Sequence, residues 1–161
     1  MDAVIVDKYG NWYSSKDAAL LPDGRVVAKH SGNHHSHHKR YRASAVVIHD
    51  NKLLLVRDNG KPDFSLPGGG FEHGETTIQA GIREVAGEEL GGIQVLSAER
   101  LPKHWDLDGK RAYHKFVRLT IQGEPYIKQP EEINKVIWWD MKSPLPVQGH
   151  VKYILSRIRN L

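Results

Sequence analysis

The amino-acid sequence predicts an α+β fold, a mixed β-sheet with helices packed on it. Three observations lead there. Apolar runs of strand type recur at Ala43–His49, Lys52–Arg57, Ile93–Ala98, Tyr113–Ile121 and Lys135–Trp139. Two segments instead carry apolar residues at helical spacing. They are Thr76–Leu90, with Ile78, Ile82, Val85 and Ala86 on one face, and Gln148–Ile158, with Val151, Ile154, Leu155 and Ile158. The two kinds of segment also alternate without the regular beat of a parallel α/β sheet.

Residues 1–40 read as an N-terminal extension and residues 41–161 as the main domain. Val4, Ile5 and Val6 form a short apolar run, and Tyr9-Gly10-Asn11 turns into the aromatic pair Trp12-Tyr13. Pro22-Asp23-Gly24 supplies a turn ahead of Val26 and Val27, so the extension reads as a hairpin packed on the main body. The tract His34-His35-Ser36-His37-His38, followed by Lys39 and Arg40, reads as a solvated connector, although imidazoles in such number also suit a metal or a phosphate. In the main domain, Asp50-Asn51 joins the first two strands as a hairpin. Leu66 to Gly74 forms a glycine-rich loop, and Gly91 with Gly92 stops the first helix. The adjacent Trp138 and Trp139 must point to opposite faces of their strand.

Composition narrows the function. In 161 residues, 39% are hydrophobic and 26% charged, which suits a globular domain with its own core. Cysteine is absent, which excludes disulfides, thiolate metal sites and a cysteine nucleophile. It also suits a reducing compartment, so a cytoplasmic location is expected. No apolar stretch is long enough to span a membrane, and no signal-type apolar core follows Met1. The formal net charge of +4 favours anionic ligands in general.

The chemistry concentrates in Leu66-Pro67-Gly68-Gly69-Gly70-Phe71-Glu72-His73-Gly74-Glu75, running on to Arg83-Glu84 and Glu88-Glu89. Consecutive glycines let the backbone approach a ligand closely, and the following helix carries several carboxylates within about two turns. Hard oxygen donors of this kind suit Mg²⁺ or Mn²⁺, which also bind substrate phosphates. The segment thus reads as a metal–phosphate site between a glycine loop and an acidic helix.

This stretch resembles the signature box of the Nudix hydrolase family, of the MutT-like kind. Gly69, Glu75, Arg83, Glu84 and Val85 match the spacing of the box, and Pro67-Gly68 stand where the family often has them. The likeness runs from two strands before the box to Glu131-Glu132-Ile133 and Val136-Ile137-Trp138 after it. It implies the Nudix fold, a mixed sheet sandwiched between helices. It implies as well hydrolysis of a nucleoside diphosphate linked to another group, with Mg²⁺ or Mn²⁺ as cofactor. On the same grounds Glu84, Glu88 and Glu89 would hold the metal with the Gly68 carbonyl. Arg83 would orient a carboxylate, Glu75 would support the loop–helix junction, and Glu84 or Glu132 would be the base. Arg57, Gly69 and Phe71 are the expected substrate contacts.

One feature departs from the family pattern, because the Glu pair stands one position late. A regular helix, at about 100° per residue, would put Glu88 beside Glu84 and send Glu89 toward the apolar face, where an unpaired charge is costly. An extra residue absorbed near Gly87 as a π-bulge would instead bring Glu89 beside Glu84 and Leu90 to the core. The bulge is the favoured arrangement, since such turns gather at functional sites.

Nucleoside triphosphate-type substrates are the default expectation. ADP-ribose, dinucleoside polyphosphates and nucleotide sugars stay open. The marker Pro or Tyr that some specialised branches carry is missing around Trp105 to Gly109. A non-catalytic nucleotide- or RNA-binding module is the alternative. The isomerase branch of the fold, which depends on a cysteine, is set aside. The expected partner is a nucleotide-type diphosphate, with neither a membrane nor nucleic acid, and a homodimer remains open.

Overall fold

The structure, a computed structural model, describes residues 4–6, 12–14, 18–20, 22–28 and 40–158. The His34–His38 tract and the Tyr9-Gly10-Asn11 turn lie outside the described residues. In the extension, β1 (Val4–Val6) pairs antiparallel with β2 (Trp12–Ser14), and β3 (Ala18–Leu20) pairs antiparallel with β4 (Val26–Ala28). The expected Pro22-Asp23-Gly24 turn therefore joins two paired strands, and Gly24 takes the positive φ of 87° that a turn glycine supplies.

The main body begins with β5 (Arg40–Val46), β6 (Ile48–His49) and β7 (Lys52–Asp58). Asp50 and Asn51 both have positive φ, 51° and 61°, as a tight two-residue hairpin requires. β8 (Gly68–Gly70) follows, so part of the expected glycine loop is an edge strand paired with β5. Next come α1 (Thr77–Ile82), a π-helical turn over Arg83–Glu89, and β9 (Leu90–Arg100). A 3-10 turn at Lys103–Trp105 leads to β10 (Leu107–Asp108), β11 (Ala112–Ile127), β12 (Ile133–Trp139) and α2 (Gly149–Ile158). Among the described residues no helix is long and apolar enough to cross a membrane.

β11 organises one sheet. It pairs in parallel with β5 and antiparallel with β9 and β10, while β8 lies on the far edge of β5. A second sheet has the order β12-β7-β6. The sheet is thus mixed, as predicted, and both of its faces are covered. Leu54, Val56, Ala45, Val47 and Val117 face α1 and the π-turn, where Ile78, Ile82 and Val85 meet them. Leu53, Leu55, Val46 and Phe116 face the other way, onto Val151, Ile154 and Leu155 of α2. Burial on both faces explains why these strands read as continuous apolar runs rather than alternating ones. Trp138 packs into the first cluster and Trp139 into the second, as adjacent strand residues must. Trp105 and Phe116 are buried in the α2-side core.

The first helix ends differently from expectation. Leu90 is already extended (φ −124°, ψ 139°), and Gly91 and Gly92 lie inside β9 rather than capping the helix. Their task is steric: a Cβ on Gly91 would run into the Tyr126 ring that lies across it.

The hairpin between β6 and β7 gives a direct test. Asn51→Val forces a β-branched residue to φ near 61°. It should destabilise the protein by about 1–2 kcal/mol, read as a shift in the urea midpoint at unchanged slope.

Candidate active site

The acidic site starts with a helix N-terminus that its own sequence specifies. Thr76 accepts from the Gln79 amide at 3.1 Å, and Gln79 Oε1 accepts from the Thr76 amide at 2.9 Å, a reciprocal capping box. That Thr-x-x-Gln pairing fixes where α1 begins. One turn further on, Arg83 becomes the hub. Its Nε donates to Glu75 Oε2 at 2.7 Å and its Nη2 to Glu75 Oε1 at 2.9 Å, a bidentate grip. Nη2 also donates to the Gly70 carbonyl at 2.8 Å, and Nη1 to Glu84 at 2.8 Å and Glu88 at 3.0 Å. Glu75 in turn accepts the Glu72 amide at 2.7 Å, so the loop is drawn onto the helix. Glu75 holds the guanidinium above its ordinary range, with Glu84 adding to it.

The backbone over Arg83–Glu89 is a π-turn, the arrangement that absorbs the extra residue. Its consequence is visible in Glu89. The side chain is 7% exposed, and its Oε1 accepts the Gly68 amide at 2.7 Å. The helix therefore delivers Glu89 to the glycine segment instead of to the apolar face, which Val85 and Leu90 occupy. Glycine is required at two points of this approach. A Cβ on Gly69 would overlap the Glu84 carboxylate, and one on Gly68, at φ 150°, would overlap the Ala43 carbonyl. It is the Gly68 amide, rather than its carbonyl, that this structure joins to the acidic group.

These carboxylates crowd one another. Burial pushes the Glu89 carboxyl up to about 8, against the charge of Arg42 and the Gly68 hydrogen bond, and Glu84 adds repulsion. Burial likewise raises Glu84; Arg83 opposes the rise and Glu88 adds to it. Among the described residues, no three acidic or imidazole side chains enclose a cation, because Arg83 Nη1 lies between Glu84 and Glu88. The donor set nevertheless fits a hard divalent ion. Three carboxylates supply hard oxygen donors close together, and burial pushes two of them toward protonation.

The other predicted site residues do not meet this group. Arg57 donates to Asn134 Oδ1 at 2.9 Å and lies over the Phe64 ring at 5.2 Å. Phe71 is half-buried beside Lys115, whose Nζ stands 5.6 Å from the ring centroid. Glu132 is exposed ahead of β12, where its carbonyl accepts from the Asn59 amide.

A second polar cluster, which the sequence reading did not single out, lies on the α2 side of the glycine segment. Arg42 donates from Nη2 to the Leu66 carbonyl at 2.7 Å and from Nε to Ser44 Oγ at 3.2 Å. Ser44 Oγ is 2.9 Å from His114 Nδ1, and the Leu66 amide donates to His150 Nε2 at 3.2 Å. The two imidazoles stack with centroids 4.3 Å apart. Burial, with help from Arg42, lowers His114 to about 4, while burial, His114 and Arg42 lower His150 to about 2. Both are neutral at pH 7. His150 interrupts the apolar side of α2 next to Val151, and that break in the pattern was the available signal. A cavity of about 830 Å³ opens on this pair, walled by the 60–63 and 107–111 segments and the start of α2.

A mixed sheet thus lies between helices, with a glycine segment facing glutamates gathered around Arg83 and at the end of the π-turn. The NUDIX domain family matches residues 38–155, and the chain belongs to that family; as a Nudix protein it is a pyrophosphohydrolase. No curated protein matches the chain. Among solved structures, a Nudix hydrolase family member from Chromobacterium violaceum is similar at 24% identity and TM-score 0.62, over 77% of this chain and 79% of that one. The MutT NUDIX hydrolase of Burkholderia pseudomallei is 20% identical at TM-score 0.56, over 74% and 98% of the two chains. A bifunctional NMN adenylyltransferase/ADP-ribose pyrophosphatase from Francisella tularensis, solved with AMP and a manganese ion, is 21% identical at TM-score 0.54, over 76% and 42%. These likenesses bear on the fold.

The buried imidazoles predict a pH signature. The unfolded chain protonates His150 near the ordinary value of 6.5 and the folded chain only near 2. Stability is therefore unaffected above about pH 6.5 and falls below it, by about 1.4 kcal/mol per pH unit for this one proton. Glu89 has the opposite sign, since its raised acid is protonated in the folded state first. Comparison with His150→Gln cancels that contribution. The stability difference between wild type and variant should move against wild type by about 1.4 kcal/mol per unit from pH 6.5 to 4.5 in urea titrations. A difference that does not change with pH would refute a neutral buried His150.

Proposed function

We propose that the protein is a Mg²⁺-dependent Nudix hydrolase that cleaves the pyrophosphate bond of a nucleoside diphosphate carrying a further group, with nucleoside triphosphates the favoured class. The observation that carries this reading is the Glu89–Gly68 hydrogen bond at 2.7 Å, with Glu84 packed against Gly69. It gathers acidic oxygens and the glycine backbone at one point. Glu84, Glu88 and Glu89 would hold the cation. Bound there, it would neutralise the diphosphate and make a bound water more acidic.

The chain's own residues do the rest. Arg83 keeps Glu84 and Glu88 oriented through one guanidinium edge while Glu75 fixes the other. Glu84, with a raised proton affinity, is the carboxylate suited to take the proton of the attacking water. Glu132, exposed and outside the cluster, is the weaker candidate for that role. The cavity beside His114 and His150 receives the nucleoside. Residues 1–40 act as an appendage to the Nudix domain of residues 41–161.

A panel of nucleoside triphosphates, ADP-ribose, dinucleoside polyphosphates and sugar nucleotides, assayed with and without Mg²⁺, tests the reading. Release of a nucleoside monophosphate from at least one of them is expected. The π-turn predicts the order among variants. Glu89→Gln should lower kcat by about 100-fold or more and weaken Mg²⁺ uptake in calorimetry, whereas Glu88→Gln, 43% exposed at its side chain, should do less. The reverse order, or no turnover across the whole panel, would sink it.

A further inference from the structure

The stacked histidines have defined tautomers. A backbone amide can only donate, so the Leu66 N–H at 3.2 Å leaves His150 Nε2 bare and places that ring's hydrogen on Nδ1. Ser44 Oγ already accepts from Arg42 Nε. Its own hydrogen has His114 Nδ1 as acceptor at 2.9 Å, which places the hydrogen of His114 on Nε2. Both free N–H groups then lack a protein partner among the described residues. They are not sealed in the core either, because the sole buried side-chain polar atom without a partner there is Ser65 Oγ. Both rings line the 830 Å³ cavity. Gly109 keeps the first of them uncovered, since a Cβ there would stand 3.5 Å from His114 Nε2 and 3.0 Å from the Ala112 carbonyl.

We infer that His114 Nε2–H and His150 Nδ1–H read the nucleobase, selecting a lactam edge, the adjacent C=O and N–H of hypoxanthine, guanine or uracil, over the amino edge of adenine or cytosine. Two neutral donors match a carbonyl oxygen and oppose an amino group, which brings only hydrogens to them. The carboxylates of Asp63 and Asp108 line the same cavity. Lys61, Lys110 and Arg111 line it too, and the Asp63 carboxylate offers an acceptor for the lactam N–H. The inference rests on the proposal that the cavity receives the substrate's nucleoside, and it adds which bases that nucleoside carries.

Two substitutions isolate the donors. His114→Asn keeps an acceptor where Nδ1 meets Ser44 and deletes Nε2–H. His150→Gln keeps an acceptor for the Leu66 amide and deletes Nδ1–H. Wild type should favour ITP over ATP by about ten-fold or more in kcat/KM, and each variant should reduce that ratio several-fold by losing more on ITP than on ATP. Binding of the monophosphates IMP and AMP, followed by calorimetry without metal, should show the same preference. Imidazole ¹⁵N spectra at pH 7 should show the Nε2–H tautomer for His114 and the Nδ1–H tautomer for His150. Preferential IMP binding without turnover of any nucleotide would uphold this inference while removing the hydrolase reading. Equal handling of ITP and ATP, equal or undetectable binding of IMP and AMP, or the opposite tautomers would overturn it.

Discussion

The site depends on one buried carboxylate. Glu89 reaches from the last residue of the π-turn to the amide of Gly68, and through that 2.7 Å contact the end of the helix is tied to the glycine strand. Without the wider turn, the residue at position 89 would face the cluster of Val85, Leu90 and Val117, where a carboxylate has no partner. The π-turn is thus the way this chain keeps an acidic residue out of its core and at its site. Burial that raises the proton affinity of Glu89 is the other side of the same placement, because a carboxylate taken from water favours its neutral form.

The glycine strand is held from its other side as well. Arg42 takes the Leu66 carbonyl, His150 takes the Leu66 amide, and the Ala45 amide donates to the Pro67 carbonyl at 2.9 Å. Gly68 is therefore positioned by polar contacts from β5, from α2 and from the π-turn. The two helix layers meet at this segment, although their apolar clusters lie on opposite faces of the sheet. Backbone held by several elements suits a site that must present oxygens and amides in fixed directions.

Much of this was legible in the sequence, for identifiable reasons. Strands buried on both faces gave unambiguous apolar runs, and the Asp50-Asn51 turn is local chemistry. The resemblance had Arg83 orient a carboxylate and Glu75 support the loop–helix junction, and the guanidinium meets both Glu75 and Glu84, since residues of one loop–helix unit need only local geometry to meet. The late Glu pair pointed to a bulge because the alternative buried a charge. Other features were out of reach. The strand character of Gly68–Gly70 comes from pairing with β5, which no local propensity of glycine announces. Gly91 and Gly92 looked like a helix stop, yet Gly91 makes room for the Tyr126 ring and Gly92, at φ 79°, for the Glu124 carbonyl, both more than thirty positions along and brought near by the β9–β11 register. The Arg42–Ser44–His114–His150 cluster joins three elements far apart in sequence, and only the single break in α2's apolar face hinted at it. Arg57 lies near the end of β7, and its Nε donates to Asn134 on the neighbouring strand, a cross-strand contact that sequence spacing does not announce.

The helix-to-strand switch at Leu90 shows how the sheet sets the site. A helix that ends without a left-handed glycine must have its last carbonyls satisfied by other groups. Here Lys128, the residue that follows β11, supplies partners for them. Lys128 Nζ donates to the Gly87 carbonyl at 2.9 Å and the Lys128 amide donates to the Glu89 carbonyl at 2.9 Å, while Ile127 pairs with Leu90 at the start of β9. The cation also sits favourably at the negative end of the helix. The far end of β11 thus fixes where the π-turn stops, and with it the direction of the Glu89 side chain. The near end of the same strand carries His114 to the cavity. One long strand therefore sets the spacing between the acidic cluster and the base-reading pair.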